Sequence, residues 1–230
     1  MSGCYKDLNP EALAGYFFGE GGGNGSGGNG GGEQPVELDY VDLGLSVKWA
    51  TCDLGATKPW FAGKFFAWGE ISEKNSYSWD TYKFSSGNQY KMTKYCDTSK
   101  YGNVDNKINL DTSDDAARAI LGSSWRLPTR AEVNELLNNT EWSTEYKNDI
   151  KIVVAKSTIN GAELTFPISG YKENNSNGDV GVAGYYWVSQ IEPGLACDAY
   201  YLFLDIKGNK VTMDHAYRYY GLNIRPVKVN

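Results

Sequence analysis

Between residues 37 and 50 apolar positions recur at period two, with Val41, Leu43, Leu45 and Val47 separated by single polar or small residues, a pattern that predicts two short strands. Residues 52–101 carry many Trp, Tyr and Phe among Gly, Ser and Asn without any period, which predicts long surface loops whose aromatic rings pack down on a body. Helical signals follow. Asp111 to Asp115 precede Ala116–Leu121 and Gly122 closes the run, giving acid at a helix start and a left-handed stop at its end. Thr129 and Glu132 have the spacing of a capping box for a second helix with Val133, Leu136 and Leu137 inward, and Pro128 keeps Leu127 extended before it. Strands are predicted over Asp149–Ala155, Ala162–Pro167 and Gly184–Ser189, separated by the turn signal Asn160-Gly161 and a loop from Glu173 to Gly181. The apolar run Tyr200–Ile206 predicts a central strand, with Gly208-Asn209 as a hairpin turn toward Val211. Leu222 and Ile224 alternate with Asn223 and Arg225, which predicts a final strand with one buried and one polar face. Asp214 to Tyr219 fit neither period and are read as the display segment. Trp125 and Trp187 are read as core.

Composition divides the chain into three parts. Residues 1–18 hold a short segment with a helix start at Asn9-Pro10-Glu11 and an apolar end, too small to fold alone, which docks either on a larger body or on its own domain. Residues 19–36 are dominated by glycine and predict a flexible tether whose ends lie about 20 Å apart on average, ordered packing between identical chains being the rival reading. Residues 37–230 form one domain, large enough to bury a core without disulfides. A net charge of −6 and a pI near 4.9 argue against nucleic acid as a partner, since phosphate binding needs clustered Lys and Arg. No run of about 18 apolar residues spans a membrane.

Four widely spaced cysteines without a CxxC pair exclude the usual zinc and thioredoxin-type readings. Cys52 with Cys96 as a bridge, or buried free thiols throughout, both fit. Ser2-Gly3-Cys4 resembles the tail of a bacterial lipoprotein cleavage box, the alternative being a native start with an ordinary Cys4. His215 is the single histidine, so neither a multi-histidine metal site nor a histidine pair for proton relay exists.

Five motifs occur together in order: Tyr40 to Thr51, Phe66-Ala67-Trp68-Gly69-Glu70, Trp125-Arg126-Leu127-Pro128-Thr129, Gly184-Tyr185-Tyr186-Trp187 and Arg218 to Val227. Over roughly residues 37–228 they resemble the bacterial lectin-like major paralogous domain family, and within it the variable proteins of diversity-generating retroelements. That resemblance implies an α+β C-type-lectin-like fold with two helices, a small mixed or antiparallel sheet, long irregular loops and neighbouring terminal strands. It further implies a non-enzymatic protein without cofactors, whose C-terminal part is rewritten at the adenines of Asn codons. With a pyrimidine third base, such a codon reaches Asp, His, Ala, Tyr, Ile, Val and Phe but never Lys, Met, Trp, Gln or Glu. Asp198, Tyr200, Asp205, Asp214, His215, Ala216, Tyr217 and Tyr219 pass that filter where the family varies, Val188 and Ile191 pass less centrally, and Lys207, Lys210 and Met213 fail. Tyr217 and Tyr219 are expected to be exposed, and Tyr200 is open to either exposure or burial.

The implied partner is a protein or glycan on a cell surface, bound from a phage tail or a bacterial surface, with self-association, a trimer for instance, left open. Three other readings are weaker. A structural surface lipoprotein domain without a diversified site would bury 214–219. Calcium-dependent sugar binding meets Glu192-Pro193-Gly194, which lacks the amide ligand at Gly194. A formylglycine-generating-type oxidase needs a close cysteine pair near the C-terminus, where the sequence offers Cys197 alone.

Overall fold

The computed structural model describes Cys4 and residues 38–229; the expectations for the N-terminal segment and the glycine tether otherwise lie outside the described residues. The fold is α+β, with two short α-helices and several small antiparallel sheets among the described residues. Strands β1 (Tyr40–Val41), β2 (Lys48–Ala50), β3 (Trp125–Arg126) and β12 (Val227–Lys228) form a sheet in the order β1-β2-β12-β3. Val227 pairs with Trp49 on one side and Arg126 on the other, so the C-terminal end of the chain is stitched between its earlier parts.

Both helices form where the capping chemistry requires. Helix α1 (Ala116–Leu121) starts at Asp115, whose carboxylate accepts from Arg118 N at 3.1 Å and from Leu127 N at 2.9 Å, and ends at Gly122 with φ +88°. Helix α2 (Arg130–Asn138) carries the capping box: Thr129 N donates to Glu132 Oε2 at 2.8 Å and Glu132 N to Thr129 Oγ1 at 3.3 Å. Arg126 grips the same Glu132 carboxylate through both terminal nitrogens, which ties β3 to the helix start.

A second sheet joins β4 (Thr140–Lys147), β5 (Ile150–Ser157) and β6 (Glu163–Pro167). Strand β4 went unpredicted because Thr-Glu-Trp-Ser-Thr-Glu-Tyr-Lys lies at a solvent-facing edge and therefore has no apolar alternation. The loop predicted from Glu173 to Gly181 contains a small hairpin, β7 (Tyr171–Glu173) with β8 (Ser176–Gly178). The organising sheet has the order β11-β10-β9, with β9 at Ala183–Glu192, β10 at Leu195–Asp205 and β11 at Lys210–Tyr217. The central strand is thus longer than the Tyr200–Ile206 run. Residues 214–217 belong to β11, a correction to their reading as aperiodic; an exposed outer strand keeps no hydrophobic alternation to reveal it.

This sheet divides the interior. One face, with Tyr200, Leu202, Leu204, Tyr186 and Val188, meets α2 and β5–β6; the other, with Ala199, Tyr201, Trp187 and Ile191, meets the aromatic side chains of the 52–101 loops and α1. Trp125 and Trp187 are core, as expected. Leu222 and Asn223 make only isolated bridges, the last strand being Val227–Lys228, and Asn223 and Arg225 are buried, which overturns the final strand expected at 222–225 and its polar face. Asn223 Nδ2 donates to Lys64 O at 3.0 Å, while Arg225 donates from Nε (2.9 Å) and Nη2 (2.6 Å) to Asp53 Oδ1 and from Nη1 to the carbonyls of Ala50 and Thr51. Internal hydrogen bonding, not water, satisfies these polar groups.

A disulfide joins Cys4 to Cys52, correcting the Cys52–Cys96 pairing, and Cys96 and Cys197 are buried free thiols. A sulfur held in a disulfide has no thiol to carry a lipid, so this bridge and the lipoprotein reading of Cys4 exclude each other. Among the described residues no helix is long and apolar enough to cross a membrane.

Replacing Arg225 by Ala strands the Asp53 carboxylate in the core, and burial already pushes that carboxyl's pKa up against the pull of the guanidinium. The variant is expected to lose about 3–5 kcal/mol of stability, read from urea unfolding midpoints.

Candidate ligand-binding face

The C-terminal end of β11 is held in place by the residue that follows it. Arg218 is fully buried although it carries a permanent charge. Its Nη1 donates to Tyr95 O (2.8 Å) and Ala196 O (2.7 Å), Nη2 to Lys94 O (3.0 Å) and Nε to the Tyr82 hydroxyl (2.9 Å). The guanidinium carbon also lies 5.1 Å from the ring centre of Trp68 and 5.3 Å from that of Tyr82. Four bonds to three chain segments fix the backbone here, and the residues on either side, Tyr217 and Tyr219, take their directions from it.

Pairing with β10 decides where each neighbouring side chain points. Asp198 pairs with Tyr217, Ala199 with Ala216, Tyr200 with His215, Tyr201 with Asp214 and Asp205 with Lys210. Paired residues of antiparallel strands share a face and successive ones alternate. By register Asp198, Tyr200 and His215 share one face and Asp205, Asp214 and Ala216 the other, while Tyr217, the last residue of β11, turns its ring to Trp79, Tyr219 and Tyr220 beside the 52–101 loops. His215 and Asp198 touch, with Nδ1 and Asp198 Oδ2 hydrogen-bonded at 2.8 Å. Asp214 accepts from His215 N at 2.8 Å.

Around Tyr217 the face is aromatic. Its ring lies 5.5 Å from Trp79, on a short turn at Trp79–Thr81, and 5.7 Å from Tyr219. Tyr90 and Tyr101, stacked at 5.9 Å with planes 9° apart, are close enough to bear on the ionisation of Tyr217. Tyr90 is exposed. Trp79 and Tyr90 come from the aperiodic loops and were missed as site residues, while Tyr101 is buried and contributes by stacking on Tyr90; aromatic content was the only signal, and it does not distinguish rings that pack from rings that are displayed.

The predicted residues separate by burial. Val188 and Ile191 are fully buried and Tyr200 nearly so, its ring covered by the Arg130 guanidinium at 4.3 Å, so these three present no surface to a ligand. Tyr219, expected to be exposed, is only 8% accessible because its hydroxyl donates to Glu173 at 2.8 Å and its ring packs on Trp79 at 4.8 Å. Asp205 is partly exposed but sits seven residues up β10 from Asp198, about 23 Å away at roughly 3.3 Å per residue, and belongs to no common site with it. Asp198, Asp214, His215, Ala216 and Tyr217 remain together at one end of the sheet, with Tyr217 37% exposed.

Folding brings Cys96 and Cys197 near one guanidinium, through the carbonyls of the residues preceding each, so Cys197 is less isolated than the sequence suggests. Burial pushes both thiols up, Cys197 to about 12 with help from Asp198, and keeps them protonated rather than nucleophilic at neutral pH. Gly194 of the Glu192-Pro193-Gly194 turn donates its N–H to Asp97 at 2.7 Å. Neither a protein-family model, nor a curated protein, nor a solved structure matches the chain.

Two substitutions separate display from packing. Tyr219→Ala is expected to cost about 3 kcal/mol of stability, as for other buried aromatic rings, and Tyr217→Ala about 1 kcal/mol or less, both from thermal or urea unfolding. A pH test addresses the segment that holds Arg218. Burial pushes the Asp114 carboxyl up, but hydrogen bonds from Lys94, Tyr95 and Lys83 outweigh it and hold its pKa below the ordinary value. Its contribution to stability is complete above the unfolded-state pKa of about 3.9 and is lost as pH falls through the lower folded value. Asp114→Asn should therefore reduce the loss of stability below about pH 4, measured as unfolding midpoints at pH 6 and pH 3.

Proposed function

We propose that this chain is a non-enzymatic ligand- or receptor-binding protein of C-type-lectin-like fold, related to the variable proteins of diversity-generating retroelements, that binds a protein or glycan on a cell surface. It acts as a phage receptor-binding protein or as a bacterial surface adhesin. The observation that carries this reading is the contrast across Arg218: a locked, solvent-free guanidinium beside Asp214, His215 and Tyr217, which are exposed. These three side chains are of the types that adenine mutagenesis of an Asn codon reaches. A rigid aromatic ring and short polar groups on a fixed backbone make contact at low entropic cost.

The diversified set is narrower than sequence alone suggests, comprising Asp198, Asp214, His215, Ala216 and Tyr217. Trp79, Tyr90 and Tyr101 act as constant neighbours. Rewriting Val188, Ile191 or Tyr200 would alter the core, and each such change would cost stability before it changed affinity.

Two measurements test the proposal. Sequencing the gene's surroundings should find a near-repeat of the coding segment with Asn codons opposite Asp198, Asp214, His215, Ala216 and Tyr217, and its absence would remove the diversification claim. A glycan and protein array should yield a ligand whose binding falls at least about tenfold in a His215→Ala, Tyr217→Ala double variant that remains folded at the assay temperature, as its unfolding midpoint shows. Retained affinity would place the contact surface elsewhere.

A further inference from the structure

On the face of β9–β11 that carries Tyr201, Asp214 and Ala216 lies an open cavity of about 210 Å³, far more than the roughly 10–15 Å³ that one water requires. Its wall is tyrosine. Tyr171 and Tyr185 have ring centres 5.3 Å apart with planes at 74°, Tyr171 and Tyr220 are 5.4 Å apart at 48°, and Tyr185 and Tyr201 are 5.4 Å apart at 42°. Rings inclined in this way line a hollow instead of stacking flat, and the face of each tyrosine ring is electron-rich.

Carboxylates surround this hollow. Asp179 lines it and accepts from the Tyr185 hydroxyl at 2.6 Å. Asp214 pairs with Tyr201 across the strands, and Glu173 accepts from Tyr219, next to Tyr220. Burial raises the pKa of all four wall phenols, and the charges that raise them further are these acids: Asp179 and Glu173 for Tyr171, Asp179 for Tyr185, Asp214 and Asp198 for Tyr201, Glu173 for Tyr220. The negative potential that disfavours a phenolate here favours a cation.

We infer that this cavity receives the ammonium end of a lysine side chain projecting from a protein partner. A lysine has the required form, an apolar stem to lie along the tyrosine wall and a compact charged head for the ring faces and the Asp179 carboxylate. Ala216 lines the cavity as well, and it is one of the positions assigned to diversification. Its small side chain keeps the cavity open, and replacement by the larger Val, Tyr or Phe that an Asn codon also reaches would close it. This inference rests on the binding-protein reading and selects a protein ligand over a glycan.

The test uses the whole chain and a blocked Gly-Lys-Gly peptide, titrated at constant ionic strength while the tyrosine ring signals are followed by NMR. Binding is expected in the millimolar range, with the Nε-acetyl-lysine peptide at least about tenfold weaker. Tyr220→Leu, Asp179→Asn and Ala216→Val should each weaken it severalfold, and Tyr220→Phe should restore it, since the phenyl face remains. Equal binding of the acetylated peptide, an unaffected Tyr220→Leu variant, or binding of choline but not of the lysine peptide would each overturn the lysine assignment. Failure here is separable from failure of the wider proposal. The array ligand would still depend on His215 and Tyr217 if only the cavity were misassigned, whereas lysine-peptide binding would survive loss of the near-repeat.

Discussion

The structure depends most on a buried cation that bonds to backbone carbonyls and a phenol. Arg218 uses four of its N–H groups on Tyr95 O, Ala196 O, Lys94 O and the Tyr82 hydroxyl, and each acceptor belongs to a segment distant from the C-terminus or across the sheet. Removing a guanidinium from water is costly unless its donors are met, so the 82–95 loops fold down only in the geometry that meets them. Irregular segments gain a defined shape in this way without regular secondary structure of their own.

Arg225 does the same for the other half of the molecule. Its bonds to Asp53 and to the carbonyls of Ala50 and Thr51 bind the end of the chain to the segment after β2, and Tyr186 approaches the same carboxylate at 3.4 Å. The two arginines stand seven residues apart on either side of residues 219–224, whose Tyr219, Leu222 and Ile224 belong to the cluster under the 52–101 loops. Fixed at both ends, this segment gives the outer strand β11 a rigid base. Substitution of the strand's exposed side chains would leave the backbone beneath them locked. The same rigidity serves the tyrosine cavity, since Tyr220 and Leu222 of this segment form part of its wall.

Charge is distributed in keeping with this arrangement. Lys94, Tyr95 and Lys83 converge on Asp114, so the loop that supplies carbonyls to Arg218 is itself anchored by an ion-paired carboxylate. On the presented side, acids stand among aromatic rings, with Asp198 and Asp214 flanking His215 and Asp179 beside Tyr185. Such a surface carries negative potential, as does the chain as a whole with its net charge of −6.

Local chemistry was legible in the sequence. Asp115 and Gly122 bound the first helix, Thr129 and Glu132 started the second, and the Tyr200–Ile206 run lay in the central strand, because capping and hydrophobic runs act over a few residues. Long-range partners were not legible. That Cys4 pairs with Cys52, that Arg225 and Asn223 point inward, that β4 exists as a polar edge, and that Val188, Ile191 and Tyr219 are buried all follow from contacts between distant segments. The candidate face shows the same division: residue types at 198 and 214–217 came from the sequence, while their assignment to two faces of one sheet came from strand register. A side chain's polarity states what it can bind, but only the fold determines whether water, protein or a partner reaches it first.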